Sequence, residues 1–401
     1  MPLALDDVAV LDLSHALAGP LASTLLADFG ARVVKIEPPG SGDISRAWGP
    51  PFRGSDSAYF VTLNRNKKSV DIDLKSSEGK ELFFRLAEDS DVVLENFRVG
   101  TVQRLGIDYE RVRARRPEII YCSISGFGQT GPYKDRSAMD LIVQAESGMM
   151  SVTGEPGGHG VRCGVSIADM TAGMNAALAI LTALHARQRT GRGQFIDVSM
   201  LEGQLGLLDL TIGNYLADGI VPYPMGTAYK SLLPYQTFRT RTKDIAIAVG
   251  SNDLWRTFCR ATGLDDLRDD PRYATNGARA ENRDTLIARI QEAFLTRSYD
   301  EWEAILLPAG VPMGAINTID QVVEHPQVAA RGVLAGTSHP VAGSVKVVSP
   351  YFRLTGTPGG VRSPAPLLGE HTDEVLRDDL GLDAREIEKL RRAGAIGPRR
   401  T

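Results

Sequence analysis

The sequence predicts an α/β fold: a sheet of strands alternating with helices, followed by a smaller α+β region. Two observations predict it. Short valine- and isoleucine-rich runs recur through the N-terminal half, each separated from the next by a helix-length segment. From about Ser231 the texture changes, and two closely spaced strand candidates precede a run of helices.

The elements follow in order. Residues 8–13 (VAVLDL) form a short apolar run, expected as a buried parallel strand. The loop 14–20 (SHALAGP) leads to a helix over 21–29, stopped by Gly30. Residues 31–37 (ARVVKIE) make a second strand and complete a βαβ unit. Strands are expected at 69–74, 91–95 and 119–124, with a helix over 77–89. The strongest helical segment is 169–189, ended by Arg187, Arg189 and Gly191. Its apolar stretch, 170–184, is interrupted by Thr171, Gly173, Asn175 and Thr182. It reads as a buried helix, too short and polar to span a bilayer. Residues 193–201 read as a strand leading into a helix. In the second region, 234–240 and 244–249 read as strands, and 253–262, 285–295 and 299–309 as helices. From Val333 the chain is rich in Gly, Pro and Ser, the composition of linkers or surface strands, before a charged amphipathic helix at 383–393. The expected domains are 1–225 and 226–330, with 331–401 returning to the first.

Composition excludes several function classes. The 401 residues carry a net charge of −4 with acids and bases mixed, which gives no support to nucleic-acid binding. The three cysteines, Cys122, Cys163 and Cys259, are too scattered for a disulfide framework or a CxxC metal pair. Residues 1–7 lack a basic segment followed by an apolar one. These features point to a cytoplasmic protein without a membrane partner.

Familiar catalytic signatures are missing. The first βα loop has one glycine rather than GxGxxG, and no Walker, HExxH or GxSxG sequence occurs. The histidines are scattered without metal-ligand spacing; only His15 sits in a strand-end loop, where ligands bind in α/β sheets. Two glycine-rich loops, 123–133 (SISGFGQTGPY) and 153–160 (TGEPGGHG), either let backbone approach a ligand or are ordinary turns. Basic residues near predicted strand ends, Arg65, Lys67, Lys68, Lys75, Arg98, Arg104 and Arg136, are either surface charges or a clasp for a phosphorylated ligand. Asp169 opens the apolar helix. An aspartate there is what a helix cap looks like, but among the small and apolar residues of SIADMTAGM it also fits a carboxylate nucleophile. Helix N–H groups are expected to favour its ionised form.

The segments VLDLSHALAGPLASTLLADFGARVVKIEPPGSGD, NRNKKSVDIDLKSSEG, DVVLENFRVGTVQRLG, SISGFGQTGPY, MDLIVQAESGMMSVTG, GVSIADMTAGMNAALAILTALHAR and GRGQFIDVSMLEG together resemble the class III coenzyme A (CoA) transferases, the formyl-CoA transferase or CaiB–BaiF family. PYQTFRTRTKDIAIAVGSNDLWRTFC and GVPMGAINTIDQVVEHPQVAARG are similar to that family's small domain. The resemblance implies a large Rossmann-like domain, a smaller α+β domain and two chains interlocked in a homodimer. It implies Asp169 as the catalytic residue. It places His15, Ala16, Gly19, Asp73, Leu74, Lys75, Asn96, Phe97, Arg98, Arg104, Arg136 and Met139 on CoA-contacting segments. Trp48, Tyr59 and Arg162 are candidates for the acyl site. Many family members carry a basic residue where this chain has Pro38, so that phosphate contact has to come from elsewhere.

The implied reaction moves CoA from an acyl-CoA to a carboxylic acid, with a small dicarboxylate expected as acceptor. It proceeds through aspartyl anhydride and aspartyl-CoA thioester intermediates, with acyl-CoA as substrate and no metal or permanently bound cofactor. Two alternatives stay open. The family also contains α-methylacyl-CoA racemases, whose proton-transfer machinery includes a histidine before an aspartate; here the segment is Ala138-Met139-Asp140. The other is a CoA-binding protein without activity.

Overall fold

A computed structural model describes residues 2–399. The chain divides into two compact units. The first comprises the chain up to Met149, Arg162–Gly219 and the chain from Gln327 on; the second comprises Met150–Val161 and Ile220–Pro326. The segment Met150–Val161, expected in the first domain, groups with the second unit, where the Gly226 N–H donates to the Gly154 carbonyl (2.8 Å).

The first unit is built on a six-stranded parallel sheet: β1 (Ala9–Asp12), β2 (Arg32–Glu37), β3 (Lys67–Asp71), β4 (Val92–Glu95), β5 (Ile120–Ser125) and β6 (Phe195–Ser199). The spatial order is β3-β2-β1-β4-β5-β6, that of a Rossmann sheet. Strand β3 starts and ends earlier than the expected 69–74. Its Lys67 is buried against Asp12 and Asn64, and the chain leaves the sheet at Ile72, which instead bridges Ile396.

Successive strand residues feed opposite faces. Val10, Val33, Val92, Leu94, Ile120 and Ile124 join one core; Leu11, Val34, Ile36, Val70, Val93 and Tyr121 join the other. Both faces are therefore covered, which is why these strands read as apolar runs rather than alternating ones. The first core is closed by α1 (Ala18–Asp28) and by a 24-residue helix, Ile167–Thr190. That helix is longer than the sequence suggested, and by length and composition alone it is long and apolar enough to cross a membrane. In this unit it packs on α1 instead. The approach is so close that a β-carbon on Gly173 would lie 2.6 Å from the Ala18 carbonyl oxygen. The second core takes helix Ser77–Glu88 and the C-terminal helices Thr372–Asp378 and Ala384–Arg392. The Gly/Pro/Ser-rich segment holds a hairpin, Leu334–His339 with Gly343–Val348. The chain then runs to β3, where the Thr372 hydroxyl donates to Asp71 Oδ1 (2.6 Å).

The second unit pairs Tyr235–Phe238, Ile245–Ala248 and Met313–Ala315 in an antiparallel sheet. Helices Asn252–Thr262, Arg283–Phe294 and Tyr299–Leu306 bury Trp255, Phe258, Phe294 and Trp302 against it.

Candidate active site

The loop after β1 is pinned from beneath by buried charges. Asp12 is fully buried and accepts from Ser14 N (2.9 Å), the Ser14 hydroxyl, the Ser23 hydroxyl (2.6 Å) and the Lys67 ammonium (3.3 Å). Burial works to raise its pKa, but Lys35, Lys67 and the two hydroxyls outweigh it and hold it at about 2. Lys35, also fully buried, donates to the Ser14 carbonyl and pairs with Asp43 (2.9 Å). Burial opposes its charge, yet Asp43, Asp12 and Glu37 raise its pKa above the usual lysine value.

Ala16 has φ 64°, in the left-handed region that a β-carbon disfavours. Its neighbours hold it there. Its own N–H donates to Asp43 Oδ1 (3.1 Å), and the Asn96 side chain clamps the adjacent residue. Asn96 Oδ1 accepts from His15 N (2.8 Å), while Asn96 Nδ2 donates to His15 O (2.8 Å). This clamp joins the carboxyl ends of β1 and β4, where the strand order reverses, the crevice in which open α/β sheets bind ligands. The His15 ring meets Phe97 edge-on (5.2 Å). Burial, then Lys35, lowers its pKa, so the imidazole is neutral at pH 7. Its buried Nδ1 has no hydrogen-bond partner among the described residues.

Asp169 is the third residue of the helix Ile167–Thr190, after the N-cap Ser166. The N–H in the first turn does not reach it. Ala168 N donates instead to Asp140 Oδ1 (2.9 Å), a carboxylate from the helix Asp140–Glu146. The Asp169 carboxylate accepts no hydrogen bond among the described residues, so the expectation that helix N–H groups keep it ionised is corrected. Burial first, and the charge of Asp140 second, raise its pKa to about 7. Desolvation wins because no donor or cation among the described residues offsets it.

Asp169 and Asp140 line one cavity of about 660 Å³ within the first unit. Of the residues expected at the site, the cavity gathers His15, Ala16, Asn96, Phe97, Arg98, Arg136, Met139, Trp48, Tyr59 and Arg162 around Asp169. Trp48 and Tyr59 meet edge to face (5.4 Å). Burial, then Asp169, pushes the Tyr59 phenol up, so it stays protonated. Arg162 donates only to the Cys163 carbonyl (3.1 Å) and has no carboxylate within ion-pair distance among the described residues. Arg98 donates to the Asp135 carbonyl (2.6 Å). Arg136 pairs with Glu146 (2.6 Å) and stacks over Tyr133 and Phe127.

Other expected residues lie off this cavity. Gly19 is buried in α1, where a β-carbon would sit 2.2 Å from Ser14 Cβ; its role is to let helix and loop touch. Asp73, Leu74 and Lys75 follow β3, at the outer edge of the sheet, and Leu74 packs on the second core. Arg104 donates to Thr101 Oγ1 (2.9 Å) on a short helix. Arg65 and Lys67 are buried structural cations, paired with Asp28 and Asp12. Pro38 is exposed past β2, and Arg46 nearby is consumed by Glu37 (2.7 Å) and Asp56 (2.9 Å).

Sequence reasoning missed Asp140, Ser125 and Lys134, which also line the cavity. Asp140 had a signal, an acidic residue opening a helix, but nothing local tied it to Ala168. Ser125 ends β5, and its buried hydroxyl has no partner among the described residues.

The model of CoA-transferase family III matches residues 5–372. The chain belongs to this family. It is a CoA-transferase, with CoA as a substrate. It is 38% identical over 397 residues to human succinyl-CoA:glutarate CoA-transferase, covering 99% of this chain and 91% of that protein. It is 38% identical over 390 residues to succinyl-CoA–D-citramalate CoA-transferase of Chloroflexus aurantiacus, covering 97% of each. The crystal structure of a CaiB/BaiF family protein from Brucella suis superposes with a TM-score of 0.85 at 37% identity, over 94% of this chain and 100% of that one.

Proposed function

We propose that this CoA-transferase moves CoA from an acyl-CoA to a small dicarboxylate, with Asp169 as the covalent carrier. The observation that carries the reading is a buried, hydrogen-bond-poor carboxylate sharing a cavity with an arginine that has no carboxylate partner of its own. The named relatives support it: both carry succinyl-CoA in their names, one with glutarate and one with D-citramalate, all two-carboxylate acids.

An Asp169 oxygen attacks the donor thioester carbonyl. The C–S bond breaks, releasing CoA thiolate and leaving a mixed anhydride. The thiolate attacks the aspartyl Cγ and expels the donor acid, giving an aspartyl-CoA thioester. The acceptor carboxylate attacks that thioester and releases thiolate, and thiolate attack on the acceptor's carbonyl then frees Asp169. No net proton is taken up or released, so no general base is needed. Burial makes the Asp169 anion a stronger nucleophile than a solvated carboxylate, while its pKa near 7 leaves a large ionised fraction at neutral pH. Arg162 offers a guanidinium to the distal carboxylate of a two-ended acid. The clamped His15–Ala16 loop and Asn96, Phe97 and Arg98 bind CoA.

The functional unit is a homodimer in the cytoplasm. The helix carrying Asp169 exposes Met174, Leu178 and Leu181, and the helices after β6 expose Leu205, Leu207, Leu210 and Leu216. So much apolar surface on consecutive helices suits a second copy of the chain.

The test is a panel of acyl-CoA donors and acids read by mass spectrometry, with hydroxylamine added to trap the acylated peptide. The expected result is fastest exchange among C4–C6 dicarboxylates and a hydroxamate on Asp169. Faster turnover of monocarboxylates, or a label elsewhere, would overturn the reading.

A further inference from the structure

Gln144 is fully buried on the helix Asp140–Glu146, one turn after Asp140. It lies behind the cavity wall rather than in it, and both ends of its amide are used. Nε2 donates to Asp140 Oδ2 (2.7 Å) and approaches the Val165 carbonyl (3.5 Å). Oε1 accepts from Cys163 N (2.8 Å). The other oxygen of Asp140 accepts from Ala168 N (2.9 Å), next to Asp169. One amide therefore ties the backbone beside Arg162 to the backbone beside Asp169, with Asp140 as the intermediate link.

We propose that Gln144 is a positioning residue that, through its bond to Cys163 N, holds Arg162 in place for the distal carboxylate, and so selects acids with two carboxylates. The inference rests on the dicarboxylate reading above. Its physical content is that a two-ended acid must reach Asp169 with one carboxylate and Arg162 with the other. The segment carrying Arg162 is exposed and irregular, and the Cys163 N–H bond to Gln144 anchors it. Only an amide serves both ends at once, donating to a carboxylate and accepting from a backbone N–H. A lost anchor lets the guanidinium drift, which costs binding of the distal carboxylate but not attack on a thioester.

The experiment compares succinate with butyrate as acceptors, at equal chain length, for five proteins: wild type, Gln144→Met, Gln144→Glu, Arg162→Ala and the double variant Gln144→Met/Arg162→Ala. Gln144→Met removes both hydrogen bonds at similar volume. With acetyl-CoA as donor, which has no distal carboxylate, the preference for succinate is expected to fall about tenfold, through KM for the acid and with KM for the donor unchanged. Arg162→Ala is expected to lose the same preference, and the Gln144→Met/Arg162→Ala pair no more than either alone. Gln144→Glu keeps the acceptor for Cys163 N but loses the donor to Asp140. It is expected to keep the preference while kcat falls equally for both acids. This variant carries the test if Gln144→Met does not fold. Gln144→Met with an intact succinate preference, or Gln144→Glu without one, overturns the positioning role alone. Wild type with no preference for succinate overturns the dicarboxylate reading and this inference together.

Discussion

Replacing Asp169 with asparagine separates the chemistry from the stability of the site, because the two move in opposite directions. The carboxyl keeps its proton up to about pH 7 in the fold, against 3.8 for an ordinary aspartate. A raised acid pKa means that the folded protein holds the proton more tightly than the unfolded one. Stability then falls as pH rises between these two values and is flat outside them. At pH 8 the buried anion costs about 4 kcal/mol as an upper bound, shrinking to below about 1 kcal/mol near pH 4. Asparagine keeps the shape and carries no charge. The variant should therefore unfold at higher urea than wild type at pH 8, with the two curves converging toward pH 4, at one protein concentration. Turnover should fall by several orders of magnitude, because an amide cannot form the anhydride. Were Asp169 only a helix-end residue, the variant would instead be about as stable as wild type, because asparagine serves a helix start as well as aspartate does, and would turn over normally. That pattern, or an Asn variant no more stable than wild type at pH 8, would refute the reasoning.

Asp140→Asn removes the negative charge beside Asp169 while leaving an oxygen for Ala168 N. The rate–pH profile, which in wild type rises through about 7, should shift to lower pH, and an unmoved profile would show that burial acts alone. Asn96→Ala deletes both hydrogen bonds that clamp His15, each worth about 1 kcal/mol. KM for acyl-CoA should rise with Asp169 trapping intact, and an unchanged KM would remove the clamp from the binding site. Incubation of a 2-methylacyl-CoA in deuterated water without acceptor acid should leave the α-carbon unlabelled, because exposed Met139 offers no base; rapid labelling would favour a racemase. Sedimentation should show a dimer at micromolar concentration, and an active monomer would exclude the apolar helices as an interface.

The sequence by itself determined the parallel sheet and the helix that carries Asp169. Strands such as VVKIE and VVLE are covered on both faces, so burial leaves a continuous apolar run that can be read locally. Likewise Ile167–Thr190 is a long run of mostly apolar and small residues closed by Arg187, Arg189 and Gly191, a pattern carried by neighbouring positions. Tertiary structure alone decided the state of the site. Asp169 is near neutrality because of burial and a charge 29 positions away. His15 is clamped by an asparagine 81 positions away. Gly19, placed by resemblance on a CoA-contacting segment, makes room for Ser14, and Lys67, read as either a surface charge or a ligand clasp, is buried on Asp12. Helix and strand formation depend on neighbours in the chain, and those leave a pattern. Desolvation and through-space charge depend on whatever the fold brings close, and a single sequence carries no local mark of that.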